Sequence, residues 1–162
     1  HHRLVLYVPQ FIGLFNRTLS ANALYPPSQQ TEADLASLLL EWRFHDAGRE
    51  IDFGAIVGEQ GERLSGGQIQ KLELARIAGV KVPVVILDES TSALDPNSEG
   101  AVIKTLRSRF GKETTLILIT HRPKLAEQAD HVLHMKGGRL VRQGGHDYLL
   151  EDSGDYRQLW SK

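Results

Sequence analysis

Val84-Val85-Ile86-Leu87-Asp88-Glu89 is a run of four apolar residues, mostly β-branched, that stops at two adjacent carboxylates. Apolar residues here are continuous rather than alternating. A strand of that kind is built to be buried on both faces, as in a parallel sheet lying between helices. Thr115 to Ile119 has the same texture, and so does Leu4 to Val8, which Pro9 stops. Val102, Ile103, Leu106 and Phe110 recur at helical spacing between two of these strands. Strands alternating with helices predict an α/β fold with a mostly parallel sheet covered on both faces.

Outward from the strands, helix signals are local. Thr31 stands three residues before Asp34, and Leu35, Leu38, Leu39 and Trp42 follow at helical spacing. Leu14 to Leu24 is mixed in character and ends at Pro26-Pro27. Gly48 to Glu62 reads as a glycine-rich loop. A helix is expected from about Ser65 to Ala78, with Ile69, Leu72, Ala75 and Arg76 on its spacing and Gly79 as its cap. Another passes through Leu125, Ala126 and Ala129 after His121-Arg122-Pro123. His131 to Met135 and Arg139 to Gln143 flank Lys136-Gly137-Gly138, a hairpin signal. Tyr148 to Leu150 and Tyr156 to Trp160 read as short helices. The expected layout is a strand and loop over 1–13, a helical part over 14–80, and an α/β part over 81–162.

The 162 residues suffice for one domain with a real core. Hydrophobic residues make up 41% and charged residues 24%, which argues against wholesale disorder. A formal net charge of -1 disfavours a nucleic-acid partner. With no cysteine, a disulfide scaffold, a thiolate metal site and a cysteine nucleophile are excluded. No apolar stretch is long enough to cross a bilayer as a helix. The chain opens at His1, without methionine and close to a strand-like run, so we expect a piece of a longer protein.

Asp88 and Glu89 end a buried parallel strand, and ligands bind beyond the carboxyl ends of such strands. An acid there can hold Mg²⁺, and its neighbour can orient and deprotonate a water. Taken alone, the pair is more often an ordinary solvated turn, because apolar runs followed by acids are common. Ser65 and Gln68 fit a capping box around Gly66-Gly67, and backbone N–H groups at a helix N-terminus attract anions. A cap that binds nothing has the same sequence. His121 lies where a strand gives way to a helix, a place from which it could donate to a phosphate. Gln10, after Tyr7-Val8-Pro9, is bland by itself.

Their order is more specific than any member. Tyr7-Val8-Pro9-Gln10, Leu64-Ser65-Gly66-Gly67-Gln68, the apolar run with Asp88-Glu89, Ser92-Ala93-Leu94-Asp95 and Ile119-Thr120-His121 together resemble the ATP-binding cassette (ABC) ATPases over essentially the whole chain. The resemblance implies a P-loop NTPase core, RecA-like, with a helical subdomain. It matches Gln10 to the Q-loop, Ser65, Gly66, Gly67 and Gln68 to the signature, Asp88 to the Walker B acid, Glu89 to the catalytic glutamate, Asp95 to the D-loop and His121 to the H-loop. It implies ATP and Mg²⁺ as cofactors, with Asp88 and Gln10 toward the metal. Glu89, His121 and Gln10 would be catalytic, and Ser65 to Gln68 and Asp95 would serve nucleotide binding. The implied partner is a second nucleotide-binding domain in a head-to-tail dimer. Leu14 to Leu19, Val57 to Gly61 and the Gly138 to His146 ending look like the exporter branch. That branch implies transmembrane domains fused upstream and a place at the cytosolic face of a membrane.

Departures are few. Lys71 stands where arginine is commoner, and Arg76-Ile77-Ala78-Gly79 alters a more usual pattern. The P-loop, Gly-x-x-x-x-Gly-Lys-Ser/Thr, is absent from the sequence, since Gly111-Lys112 is followed by Glu113. In the family that motif precedes the Q-loop, so it would lie upstream of His1. Two other readings stay open: a partial domain that lends its signature to a complete partner, and a soluble ABC ATPase without a transport role.

Overall fold

The sheet is parallel and three-stranded, with the strands in chain order. In the computed structural model, which describes residues 4–11, 13–25, 30–45 and 50–160, β1 is Val5–Val8, β2 is Val84–Asp88 and β3 is Thr115–Ile119. Tyr7 lies beside Ile86, Ile86 beside Ile117, and Asp88 beside Ile119. Neighbours β1 and β2 are separated in sequence by a helical segment made of α1 (Leu19–Ala23), α2 (Glu32–Glu41) and α3 (Gly66–Ile77). The Pro26-Pro27 break and the start of the expected loop at Gly48 lie outside the described residues.

One expectation is corrected. Val8, Val85 and Leu87 are buried on one face of the sheet. On the other, Val5 is 51%, Tyr7 55%, Ile117 42% and Ile119 47% exposed. The apolar texture of the strands therefore equips both faces for burial, while one of them is bare in this chain. Asp88 belongs to that bare face by register.

Both expected capping boxes form. The Thr31 hydroxyl accepts from Asp34 N–H at 3.1 Å while the Asp34 carboxylate accepts from Thr31 N–H at 3.0 Å. Hydrogen bonds from the Thr31 backbone and hydroxyl hold Asp34 below the usual carboxylate range. Helix α2 buries Leu35, Leu38 and Leu39, with Trp42 just beyond its end. It packs on α3, as does α1. The end of α3 differs from expectation. Ala78, in right-handed conformation, is the C-cap, and the chain leaves through a turn in which Val80 N–H donates to Ile77 O at 3.0 Å. No left-handed glycine is needed, so Gly79 is not the cap. Helix α4 (Pro96–Phe110) begins before its apolar positions do, because Asp95 caps it and Pro96 suits its first turn.

The chain divides after Ile119 into two compact units. The second contains a 3₁₀ segment, Pro123–Gln128, where a helix was expected. It buries only Leu125 and gives way to extended backbone at Ala129. The expected hairpin follows as β4 (Val132–Lys136) and β5 (Arg139–Gly144), antiparallel. Helices α5 (His146–Asp152) and α6 (Gly154–Gln158) account for the tail, and buried Tyr156 meets the His134 and His146 rings edge-on. Among the described residues no helix is long and apolar enough to cross a membrane.

Candidate functional site

At the end of β2 the backbone turns sharply. Glu89 has φ +49°, a left-handed conformation that costs a non-glycine residue about 1 kcal/mol. Its N–H donates to Ile119 O at 2.9 Å, so the turn is fastened to the neighbouring strand. Strain of this kind persists only where surrounding contacts impose it. Those contacts follow residue by residue. The Ser90 hydroxyl donates to Val8 O at 2.8 Å, and Thr91 Oγ1 donates at 2.6 Å to the buried carboxylate of Glu99 on α4. Asp95 accepts from Asn97 N–H at 3.1 Å and Ser98 N–H at 3.0 Å. Hydrogen bonds from the Ser98 hydroxyl and backbone, with that of Asn97, lower the Asp95 pKa. The loop from Glu89 to Asp95 is thus fixed at both ends and along its length.

Asp88 receives a hydrogen bond from the Tyr7 hydroxyl at 2.7 Å. That bond raises the Tyr7 pKa, because the phenol gives up its proton less readily beside a carboxylate. Tyr7 was not singled out as a site residue. Its pairing with Asp88 depends on the β1–β2 register and has no local signal. Among the described residues no group of three or more His, Cys, Asp and Glu could hold a metal ion. A cation at Asp88 would complete its shell with further oxygens, from water or from nucleotide phosphates, as Mg²⁺ commonly does.

The second part of the site is the start of α3. The Ser65 hydroxyl accepts from Gln68 N–H at 3.2 Å, and Gln68 Oε1 accepts from Ser65 N–H at 2.9 Å. With its oxygen used as the cap acceptor, the Ser65 hydroxyl still has a proton to donate to an anion. Gly66 and Gly67 carry the first N–H groups of the helix, which have no carbonyl one turn back. Gln68 itself is committed within the chain, since Nε2 donates to Phe44 O at 3.0 Å. A Cβ on Gly67 would come within 3.3 Å of the Ala93 carbonyl oxygen, so glycine permits the close approach of the Glu89–Asp95 loop. Lys71, about one turn further on, donates to Arg43 O at 3.0 Å, and burial lowers its pKa.

Gln10 reaches the same loop, with Nε2 donating to Ser92 Oγ at 3.4 Å. The segment after Gln10 is tied to α3. Gly13 N–H donates to Glu73 at 2.9 Å, and Arg76 donates to Gly13 O at 3.1 Å and to Asn22 O at 2.7 Å. The first unit therefore brings together Gln10, Asp88, Glu89, Asp95 and the Ser65–Gln68 turn. His121 belongs to the second unit, two residues beyond β3 and just before Pro123–Gln128. Besides Tyr7, sequence reasoning passed over Ser90, Thr91, Glu99, Glu73 and Gln70 as parts of the scaffold.

The family model for the ABC transporter matches residues 1–92. The chain belongs to the ABC transporter family. It is 38% identical, over 96% of its own length, to a probable multidrug resistance ABC transporter ATP-binding/permease protein of Bacillus subtilis, of which it covers 27%. It is 42% identical to an ATP-dependent lipid A-core flippase of Burkholderia pseudomallei, covering 96% of the chain and 26% of the flippase. Among solved structures, a bacterial Atm1-family ABC exporter with ATP bound superposes with a TM-score of 0.83 at 32% identity, over 98% of this chain and 28% of that one. The fold is that of an ABC exporter nucleotide-binding region, an α/β P-loop NTPase. The ABC chain spans about a quarter of the length of the curated relatives it matches.

Proposed function

We propose that this chain is the later part of the ATP-hydrolysing domain of an ABC exporter, with its P-loop supplied by sequence outside the 162 residues. The observation that carries this reading is the junction, within one chain, between the turn that would face a partner's nucleotide and the loop of this chain's own catalytic edge. The Ser65-Gly66-Gly67 turn opens α3 with its capping box intact, and it packs on the loop that leads from Glu89 to Asp95.

Each residue then has a task. Glu89 takes a proton from the attacking water as general base. His121 donates a hydrogen bond to the terminal phosphate, and Gln10 helps to orient the water. Asp88 and Gln10 would hold Mg²⁺ through hard oxygen donors, and a bound ion would supply charge neutralisation at the phosphates. Ser65, Gly66 and Gly67 offer one hydroxyl and helix N-terminal N–H groups to the γ-phosphate of the nucleotide bound by a second domain. Gln68 keeps that turn in shape. Asp95 secures the start of α4 and with it the loop that runs between the two sites. The partner is a second nucleotide-binding domain arranged head to tail. Transmembrane domains of the same polypeptide place the assembly on the cytosolic face of a membrane, as the ATP-binding/permease relative suggests.

This division of labour predicts that the 162-residue chain alone hydrolyses no ATP. Without a P-loop the β- and γ-phosphates lose their main cradle, and a second copy brings none. Phosphate release by the purified chain should equal the background given by a Glu89→Gln chain. A rate that Glu89→Gln abolishes would overturn the reading.

A further inference from the structure

We propose that Gln70 is a positioning residue for hydrolysis: it fastens the loop that carries Glu89 to the first turns of α3. This rests on the functional reading above and assigns a task to a residue outside its motifs.

Gln70 is only 1% exposed. An amide so buried is costly unless both its ends are bonded. Its Oε1 accepts from Ala93 N–H at 2.7 Å, and its Nε2 donates to Ser92 Oγ at 3.2 Å. The Ala93 N–H can only donate, so the orientation of the amide is fixed by the chain itself. Gln70 stands four residues after Gly66 and three after Gly67, on one face of the helix. That face meets Ala93, since Cβ atoms placed on Gly66 and Gly67 would lie 3.5 Å from Ala93 Cβ and 3.3 Å from Ala93 O. From Ser92 the path to Glu89 is a single turn, in which Ser92 N–H donates to Glu89 O at 3.0 Å. Gln10 meets the same Ser92 hydroxyl.

The consequence is mechanical. The face of α3 that offers Gly66 and Gly67 to an anion and the loop that holds Glu89 are joined by two hydrogen bonds from one side chain. A shift of α3 is carried to the backbone of Glu89 rather than absorbed between them. Gln70 touches no reacting atom, so its loss should disturb where Glu89 stands while leaving the nucleotide contacts in place. Small misplacements of a catalytic group are expensive in rate.

The test compares full-length protein with its Gln70→Met, Ser92→Ala and doubly substituted forms, reading kcat and KM for ATP. Methionine keeps the length and burial of the side chain and removes both bonds. Gln70→Met should lower kcat about tenfold and leave KM within about twofold. Adding Ser92→Ala, which also releases Gln10, should lower kcat by a smaller factor than Ser92→Ala does alone. An unchanged kcat in Gln70→Met, or a double loss equal to the product of the single losses, overturns the proposal. Should Gln70→Met fail to accumulate, Gln70→Leu decides: a lower kcat at constant KM supports the link, and an unchanged kcat overturns it. Glu89→Gln is the control for the function itself. If it leaves hydrolysis unchanged, the functional reading fails. If it abolishes hydrolysis while Gln70→Met matches wild type, only the role of Gln70 fails.

Discussion

In the full-length protein, Glu89→Gln is expected to slow ATP hydrolysis by about 10²–10⁴-fold, the usual contribution of a positioned general base, with ATP binding retained. The carboxamide has the shape of the carboxylate and no capacity to take up a proton. Its backbone setting does not depend on side-chain charge, since the left-handed turn is held by the Glu89 N–H bond to Ile119 O and by Ser90 on Val8 O. The substitution should therefore leave the loop, and the packing of Ala93 on Gly67, undisturbed. Single-turnover phosphate release alongside equilibrium nucleotide binding measures both quantities. A rate loss matched by an equal loss of affinity would place Glu89 in binding rather than in proton transfer.

Arg76→Met is expected to be the most destabilising single change in the helical part, by about 3 kcal/mol. The guanidinium is buried and bonded on three sides: to Asn22 O at 2.7 Å, to Asn22 Oδ1 at 2.9 Å and to Gly13 O at 3.1 Å. Its face lies 5.9 Å from the centre of the Phe15 ring. Burial lowers its pKa, and the nearby Glu73 charge works against that effect. Methionine fills much of the volume but removes all three bonds, leaving Asn22 Oδ1 with the Phe15 N–H and the Glu73 charge without this cation. Arg76→Lys should fall between the two, since an ammonium cannot reach three acceptors in the planar fork that arginine provides. Urea unfolding followed through the fluorescence of Trp42, which is buried beyond the end of α2, reads the part concerned. A change within about 0.5 kcal/mol, as for an ordinary surface substitution, would show that these bonds carry no net stability.

What was legible in the sequence was legible because it is local. The Thr31–Asp34 and Ser65–Gln68 boxes are contacts between residues three apart, and both form. The strands at Val5, Val84 and Thr115 announce themselves by composition, and their parallel pairing follows from the helices between them. The covering of the sheet was not legible. An apolar strand shows which faces are fit for burial, and Tyr7 and Ile117 show that a fit face can be bare. Gly79 misled for the opposite reason: glycine permits a left-handed cap without requiring one, and Ala78 ends α3 without it. The scaffold of the site was hidden because its bonds join distant segments. Tyr7 finds Asp88 through strand register, and Thr91 finds Glu99 through the placement of α4. Gln70 becomes readable only once Gly66 and Gly67 have been placed on its own face of α3 and the Ser92-Ala93 turn opposite. The chemistry-bearing residues stood out by their order along the chain, while the residues that aim them did not.

In the proposed function each ATP is sandwiched between the Asp88–Glu89 edge of one subunit and the Ser65–Gly67 turn of another. Two differently tagged copies of the full-length protein, purified as mixed dimers, test it directly. In one arrangement a subunit carries Glu89→Gln and its partner carries Ser65→Arg, so that both lesions meet in one composite site and the other site is intact. In the other arrangement both changes sit in a single subunit beside a wild-type partner, so that each site has one lesion. Substantial ATP hydrolysis is expected from the first dimer and little from the second. Equal rates from the two arrangements would contradict it.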